Sequence, residues 1–542
     1  MTKRILIVGG VAAGASCAAR ARRLDESAEI ILFERGPHVS FASCGLPYHV
    51  GDVIPKESDL LLVTPERFRE RLAIDVRVRH EVLRVDRAAR TIDVRTPDGE
   101  VRTERYDALV LSTGATPIRP PIEGIDLPGV FSVRDVPDTR RLKEWMAERG
   151  ARRAVVVGAG FIGLEIAENL VHRGLEVTLV ERADQVLAPL DPEMARPVQA
   201  HLEQHGVRLM LSTSLERIER VGESLRVHGD GAAFEADVVV LGLGVRPEVT
   251  LAREAGLEIG SRGGLVVDES MRTADPHIWA AGDVVETRCV VSGRAISMPL
   301  AGPASRQGRV AADSIAGREA RFRGVQGTAV CGVFGLTAAT TGVNEKTLRA
   351  MGVAYRASHL HPSSHVTYYP GAQTIHLKLL FSPEDGRVLG AQAVGRADVD
   401  KRIDVIAMAI QMGASVYDLE EAELCYAPQF GAAKDPVNVA GMISANHLRG
   451  DLPMAAWDEI GDALLVDVRE PDEFDTEHVP GARNVPLSQL RDRLEELPRD
   501  RELLLYCKSG KRSYDAARAL TQRGFRVRAL PGGIESWHHR AG

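Results

Sequence analysis

The chain has 542 residues, and at roughly 150 residues per domain it holds three or four domains. Hydrophobic residues make up 44% and charged residues 26%, which excludes disorder, collagen and coiled coil as the main theme. A net charge of −7 and an aromatic content of 5% supply neither a basic field for nucleic acid or membrane nor a set of base-stacking platforms.

Residues 4–8 (Arg-Ile-Leu-Ile-Val) predict a strand, Ala15–Leu24 a helix and Ala28–Glu34 a second strand. This is the βαβ unit of a parallel sheet. Lys3 and Arg4 ahead of the small and apolar stretch Ile5–Ala19 mimic a signal peptide, but Gly9, Gly10 and Gly14 would break its helix. No run of 18 apolar residues occurs, so no transmembrane helix is expected. The βαβ pattern returns at Ala154–Glu181, and a repeated unit points to two nucleotide sites. Between them, Glu81–Val94 reads as β-structure and Ala108–Gly114 as an apolar strand ending in Ser-Thr-Gly. Ala236–Gly244 is again a buried strand running into glycine, and Thr273–Asp283 closes that region. From about residue 326 the pattern changes to strands Thr374–Phe381 and Val388–Val394 and a helix Asp400–Met412. Gly450–Pro453 reads as a linker. Beyond it, Ala463–Val468, Glu502–Tyr506 and helical Tyr514–Arg523 predict a small α/β domain.

The second unit carries the fuller fingerprint, Gly158-Ala-Gly160-Phe161-Ile162-Gly163 between strand and helix. Gly158 permits the tight turn, Gly160 lets a pyrophosphate approach the backbone, and Gly163 lets helix and strand pack closely. The helix N-terminus adds N–H donors and a positive dipole for phosphate. Glu181 closes the next strand, where it would accept from a ribose 2′-hydroxyl and repel a 2′-phosphate. NADH is therefore favoured over NADPH, although Arg182 next door blunts the preference. The first unit, Gly9-Gly10-Val11-Ala12-Ala13-Gly14, has valine where the middle glycine belongs, and Glu34 restores the acid.

Thr113-Gly114 after an apolar strand, and Thr273-Ala-Asp-Pro-His-Ile-Trp-Ala-Ala-Gly282-Asp283, resemble the later FAD motifs of the pyridine nucleotide-disulfide oxidoreductases. The resemblance covers roughly residues 1–445. It implies that the first unit binds FAD through Gly9, Gly10, Ala13, Gly14, Glu34, Arg35, Val82, Thr113, Gly114, Asp283 and Ala301. Asp283 would hold the ribityl chain. The inserted second unit would bind NAD(P)H through Gly158, Gly160, Phe161, Ile162, Gly163, Glu181 and Gly244.

Glutathione reductase and its close relatives carry two cysteines with four residues between them after the first βαβ unit. Here Ser40-Phe-Ala-Ser43-Cys44-Gly-Leu-Pro-Tyr-His49 has one, with His49 in place of the second. Cys44 alone closes no internal disulfide, so a two-electron relay needs sulfenic acid chemistry or an exogenous thiol. The segment closely resembles coenzyme A-disulfide reductases, in which the single cysteine forms a mixed disulfide with coenzyme A. NADH oxidases and peroxidases use a similar segment through sulfenic acid. By the reductase resemblance, Arg20, Arg23, Ser40, Ser43, Thr64, Arg67 and Arg71 lie near the coenzyme, whose phosphates suit arginine forks. Thr64-Pro65 reads as an N-cap and a first-turn proline. Tyr368-Tyr369-Pro-Gly and Cys425-Tyr426-Ala-Pro resemble family segments that reach the partner subunit's disulfide site, where a phenol can donate to a departing thiolate. His359, His361 and His365 match no zinc spacing and read as a surface or interface β-segment. Cys17, Cys289, Cys331 and Cys425 read as packed small hydrophobes.

Near the C-terminus an apolar strand runs into Cys507-Lys508-Ser509-Gly510-Lys511-Arg512-Ser513 and then a helix. Such a loop rings the cysteine with backbone N–H groups and stabilises an anion. Four residues separate Cys507 from Arg512, which resembles the tight persulfide loop of rhodaneses and not the five-residue phosphate loop of phosphatases. Val466-Asp-Val-Arg469-Glu-Pro-Asp-Glu-Phe474, His478-Val-Pro-Gly-Ala482 and Gly532-Gly-Ile-Glu-Ser-Trp537 resemble the same family in order.

The whole chain therefore resembles coenzyme A-disulfide reductases fused to a rhodanese. The implied fold is α/β throughout. An FAD domain in two parts (1–150 and 272–325) flanks a Rossmann-like NAD(P)H domain (151–271). An α+β dimerisation domain (326–445), a linker (446–453) and an α/β rhodanese domain (454–542) follow. The implied function is an FAD- and coenzyme A-dependent NAD(P)H reductase of persulfides, polysulfides or coenzyme A disulfide. It would be a cytoplasmic homodimer with an active site shared between chains and catalytic Cys44, Cys507, Tyr368 and Tyr426. No metal, nucleic acid or membrane partner is expected. The alternatives are an NADH oxidase or peroxidase using Cys44 sulfenic acid, and a sulfurtransferase with a flavin redox sensor.

Overall fold

In the computed structural model, which describes residues 2–540, the chain forms two compact units. The first takes residues up to 184 together with 206–325, and the second takes 185–205 with the chain from 326 on.

The first unit contains two five-stranded parallel sheets. One runs in the spatial order Ile278–Ala280, Ala108–Leu111, Arg4–Val8, Glu29–Glu34, Asp75–Val78. The other runs Arg208–Met210, Glu176–Val180, Arg153–Val157, Val238–Leu241, Val130–Phe131. Their central strands are near-continuous apolar runs because helices cover both faces of a parallel sheet. Leu6, Leu32, Leu109 and Val110 are fully buried in one, and Val155, Val156, Val238 and Val239 in the other. The helix after the first strand spans Ala12–Leu24, starting three residues earlier than its expected Ala15. The helix of the second βαβ motif, also in the first unit, spans Phe161–His172. Two antiparallel three-stranded sheets, 81–105 and 215–236, supplement these.

The second unit has a five-stranded antiparallel sheet in the order Ala329–Val333, Leu336–Gly342, Val388–Gly395, Ile375–Phe381, Arg356–Leu360. Helices Val399–Gln411 and Pro436–Leu448 pack in the same unit. Residues 185–205, inside the stretch expected as one NAD(P)H domain, cluster here. The reason is electrostatic. Lys378 is fully buried, and its Nζ lies 2.8 Å from Asp191, 2.5 Å from Glu193 and 3.0 Å from Glu345. An unpaired buried ammonium is costly, so the carboxylates of 191 and 193 stay with it.

The same unit ends in a four-stranded parallel sheet, Arg483–Asn484, Leu464–Asp467, Leu503–Tyr506, Val527–Ala529, with helices Lys511–Thr521 and Gly533–His538. The expected linker is not a free tether. Helix Pro436–Leu448 takes its first residues, Leu452 is buried, and Ala529 N donates to Pro453 O at 2.8 Å.

Candidate active site

Gly9 turns the first strand into its helix at φ +94°, and Gly158 does the same at φ +105°. A Cβ on Gly14 or Gly163 would run into the carbonyl of Gly9 or Gly158, so both glycines serve close helix–strand packing. The two acids act alike. Glu34 accepts from Gly10 N at 2.9 Å and Gly36 N at 2.7 Å. Glu181 accepts from Ala159 N at 2.7 Å and Ala183 N at 2.8 Å.

The first fingerprint opens on a cavity of about 580 Å³. Of the residues expected at FAD, Gly9, Gly10, Ala13, Glu34, Arg35, Val82, Thr113, Gly114, Asp283 and Ala301 line it, and Gly14 does not. Burial raises the Asp283 carboxyl against the nearby charge of Arg134, and among the described residues none hydrogen-bonds to it. Arg134 also lines the cavity, and sequence reasoning missed it. Burial and the like charge of Arg35 lower its pKa. Arg35 and Arg134 together give the cavity a cationic wall.

Ser43 and Cys44 line the same cavity. Cys44 sits in the short turn Ser43–Gly45, directly before the helix Leu46–Val50, and is exposed. That helix is tied to the second fingerprint's helix. Tyr48 OH donates to Glu165 Oε1 at 3.2 Å, and burial pushes the Glu165 carboxyl up to about 7. Asp52 pairs with Lys143 at 2.7 Å and Arg173 at 2.5 Å. His49 is buried with Nδ1 2.7 Å from Ile54 O.

Among the residues expected at coenzyme A, Ser43 lies on the cavity and Arg23, Arg67 and Arg71 are exposed. Thr64 caps its helix by accepting from Arg67 N at 3.4 Å. Ser40 adopts φ +47° and donates its N–H to Gly10 O at 2.8 Å. Arg20 is not free, because it pairs with Asp313 at 2.6 Å.

In the second unit the Tyr368 and Tyr426 hydroxyls meet at 2.9 Å. Val366 N donates to Gly431 O at 3.0 Å and joins their two segments. Beneath them the fully buried Arg402 pairs with Asp435 at 2.9 Å and donates to Ser364 O at 2.8 Å. Tyr369 is exposed at 42% and Tyr368 at 74%. Cys17, Cys289 and Cys331 are buried as expected, and burial pushes Cys17 up to about 12. Cys425, expected in the core, is exposed because it opens the surface segment that carries Tyr426. His359, His361 and His365 do not converge. They face Glu193, His376 and Pro370 O respectively.

Cys507 is 1% exposed at the end of strand Leu503–Tyr506. Its Sγ accepts from Gly510 N at 3.1 Å and lies 3.7 Å from Ser513 Oγ. Arg512 does not offer the loop a free charge. It forms a bidentate pair with Glu473, 2.8 Å at one oxygen, which holds the Glu473 carboxyl down to about 2. Lys508 and Lys511 are exposed.

Residues 3–308 match the family "Pyridine nucleotide-disulphide oxidoreductase". The chain belongs to this family. Residues 328–435 match its dimerisation domain, and 453–540 match the rhodanese-like domain. Among solved structures, this oxidoreductase is similar to the reduced CoADR-RHD of Bacillus anthracis. The identity is 44%, the TM-score 0.97, and coverage is 99% of this chain and 98% of that one. It is also similar to an NAD-dependent persulfide reductase from A. fulgidus, with 39% identity, a TM-score of 0.93 and coverage of 98% and 100%. A Methanocaldococcus jannaschii protein named NADH oxidase is 37% identical over 81% of this chain and 97% of that one. Among the described residues no helix is long and apolar enough to cross a membrane.

Proposed function

We propose that the chain is an NAD(P)H-dependent, FAD- and coenzyme A-using reductase of persulfides, polysulfides and coenzyme A disulfide. Its rhodanese-like domain would accept sulfane sulfur. The observation that carries the reading is Cys44, a single thiol on the wall of the first nucleotide cavity, in one chain with the Cys507 loop.

The residues present fit FAD. The cavity offers an acid beside a glycine turn, a half-buried carboxylate on its wall and two cations. Bound there, FAD supplies two-electron transfer between nicotinamide and sulfur. The chain's own residues do the rest. Glu34 would hold the adenosine ribose, Asp283 the ribityl hydroxyls, and Arg134 the pyrophosphate charge. Gly158, Gly160 and Gly163 would seat NADH with Glu181 at its ribose, and Phe161, Ile162 and Gly244 would flank it. Ser40, Ser43, Thr64, Arg23, Arg67 and Arg71 would hold coenzyme A. Arg20 would join them only by leaving Asp313.

Cys44 would supply the thiolate that takes the coenzyme-side sulfur of a coenzyme A persulfide and expels hydrosulfide. Two electrons from NADH would return Cys44 to its thiolate and free the coenzyme as its thiol. With a neutral persulfide entering and hydrosulfide leaving, the net change would consume one NADH per sulfide released, and the hydrogen of NADH would end on the coenzyme thiol. Tyr368 and Tyr426 of the partner subunit would donate to the departing thiolate. Their mutual hydrogen bond raises Tyr368, so the phenol stays protonated at neutral pH. The family's dimerisation domain and the exposed Tyr368, Met412 and Phe430 support a homodimer. Six free cysteines fit a reducing cytoplasm.

The test is NADH consumption by purified protein under anaerobic polysulfide and under air alone. Faster turnover with polysulfide, with sulfide as product, supports the reductase. Turnover that needs only oxygen supports the oxidase reading and ends this one.

A further inference from the structure

The Cys507 loop does not stand on its own domain alone. Its carbonyls are held by the helix Gly533–His538: Ile534 N donates to Cys507 O at 2.9 Å and Glu535 N to Lys508 O at 3.2 Å. A Cβ on Gly533 would lie 2.6 Å from Lys508 O, so helix and loop touch backbone to backbone. One turn further on, Ser536 is buried and its Oγ lies 2.8 Å from His361 Nε2. His361 follows the edge strand Arg356–Leu360 of the antiparallel sheet. Its other nitrogen, Nδ1, lies 2.8 Å from Nδ1 of His376 in strand Ile375–Phe381. A Cβ on Gly532 would fall 2.8 Å from His361 Nε2, so that glycine is what lets the imidazole reach Ser536.

The chain of bonds is consistent in two orders, and both leave His361 neutral. Two facing Nδ1 atoms need one proton between them. If His361 donates to His376, its Nε2 accepts from Ser536 OH. If it accepts, its Nε2–H donates to Ser536 Oγ. Both orders keep His361 neutral and aimed at the helix. Burial and the neighbouring imidazoles of His376, His539 and His359 keep it so.

We propose that His361 is a positioning residue for the persulfide loop, by which the dimerisation sheet holds Ser536, its helix and so the Cys507 carbonyl in place. The inference rests on reading Cys507 as the sulfur-accepting thiol.

The test uses the full-length protein and three readouts. These are thiosulfate-to-cyanide sulfur transfer without NADH, the alkylation rate of Cys507 by iodoacetamide read on its peptide mass, and NADH turnover with small polysulfide. His361→Asn and Ser536→Ala should each cut sulfur transfer about tenfold. Each should speed alkylation of the buried Cys507 at least threefold, because the loop loosens. NADH turnover should stay within twofold. The double variant should be no worse than either single one. His361→Gln, whose amide reaches where Nε2 lies, should recover most of the transfer. Additive losses, unchanged transfer and alkylation, or an equal fall in NADH turnover would each overturn the inference. Cys507→Ser separates the two layers. Transfer lost there but intact in the His361 variants sinks the positioning role alone, and transfer surviving in Cys507→Ser sinks the thiol assignment with it.

Discussion

Glu181 accepts the Ala159 amide at 2.7 Å, so the acid that would read the ribose also braces the glycine turn beneath the phosphates. A 2′-phosphate would meet this carboxylate at close range in a partly dry site. We expect kcat/KM for NADH to exceed that for NADPH. An NADPH preference above about tenfold, or 1.4 kcal/mol, would refute the assignment. Glu181→Ala should lower NADH efficiency as well, because two backbone amides lose their acceptor.

Cys44→Ser should abolish reduction of persulfide and coenzyme A disulfide. Bleaching of the yellow flavin colour by NADH should persist, since hydride delivery needs no thiol. Stopped-flow absorbance and sulfide release measure the two halves separately. Near-normal turnover in this variant would remove Cys44 from the path.

The Tyr368–Tyr426 contact predicts non-additivity. Either phenylalanine substitution should slow sulfide release several-fold, and the double variant should fall little further. Purely multiplicative losses would mean that the two phenols act separately or not at all.

Cys507→Ser should slow sulfide release from thiosulfate-like donors and spare small polysulfides and coenzyme A disulfide, which reach Cys44 directly. Equal loss on both donor types would mean one obligatory path. No loss on either would assign the rhodanese-like domain to another reaction.

Acid should weaken the second unit in a defined window. Burial lowers His359 and His539 from 6.5 to about 4, and lowers His376 as well. The unfolded chain takes up these protons first. Their contribution to stability is therefore full above about pH 6.5 and is lost as pH falls toward 4, at most about 3 kcal/mol for each of the two. Glu193, held down to about 2 against the desolvation of its burial by Lys378, keeps its contribution until lower pH. Urea midpoints measured at pH 7.5 and 4.5 should drop. Constant midpoints across that range would contradict neutral buried imidazoles.

Local geometry was the legible part of this chain. Gly9, Gly158 and the Cys507 loop announce themselves because a positive φ or a ring of amides needs particular residues at fixed offsets. Arg134 carries no such mark. It stands in an unremarkable Val-Arg-Asp stretch, and only tertiary folding turns it toward Arg35 and Asp283. His361 and Ser536 are 175 residues apart, and no periodicity links them. Arg20 and Arg512 read as free charges because their partners, Asp313 and Glu473, lie 293 and 39 residues away, beyond any local pattern.

Lys378 limits how this protein can be recombined. A chimera that joins a foreign nucleotide-binding half to this chain at residue 326 would keep the ammonium and discard Asp191 and Glu193, two of its three counter-charges. Losing such partners costs about 3–5 kcal/mol, a large share of a domain's stability. The heritable unit is therefore discontinuous. Residues 185–205 must travel with the C-terminal half, although in the sequence they lie between strands of the other.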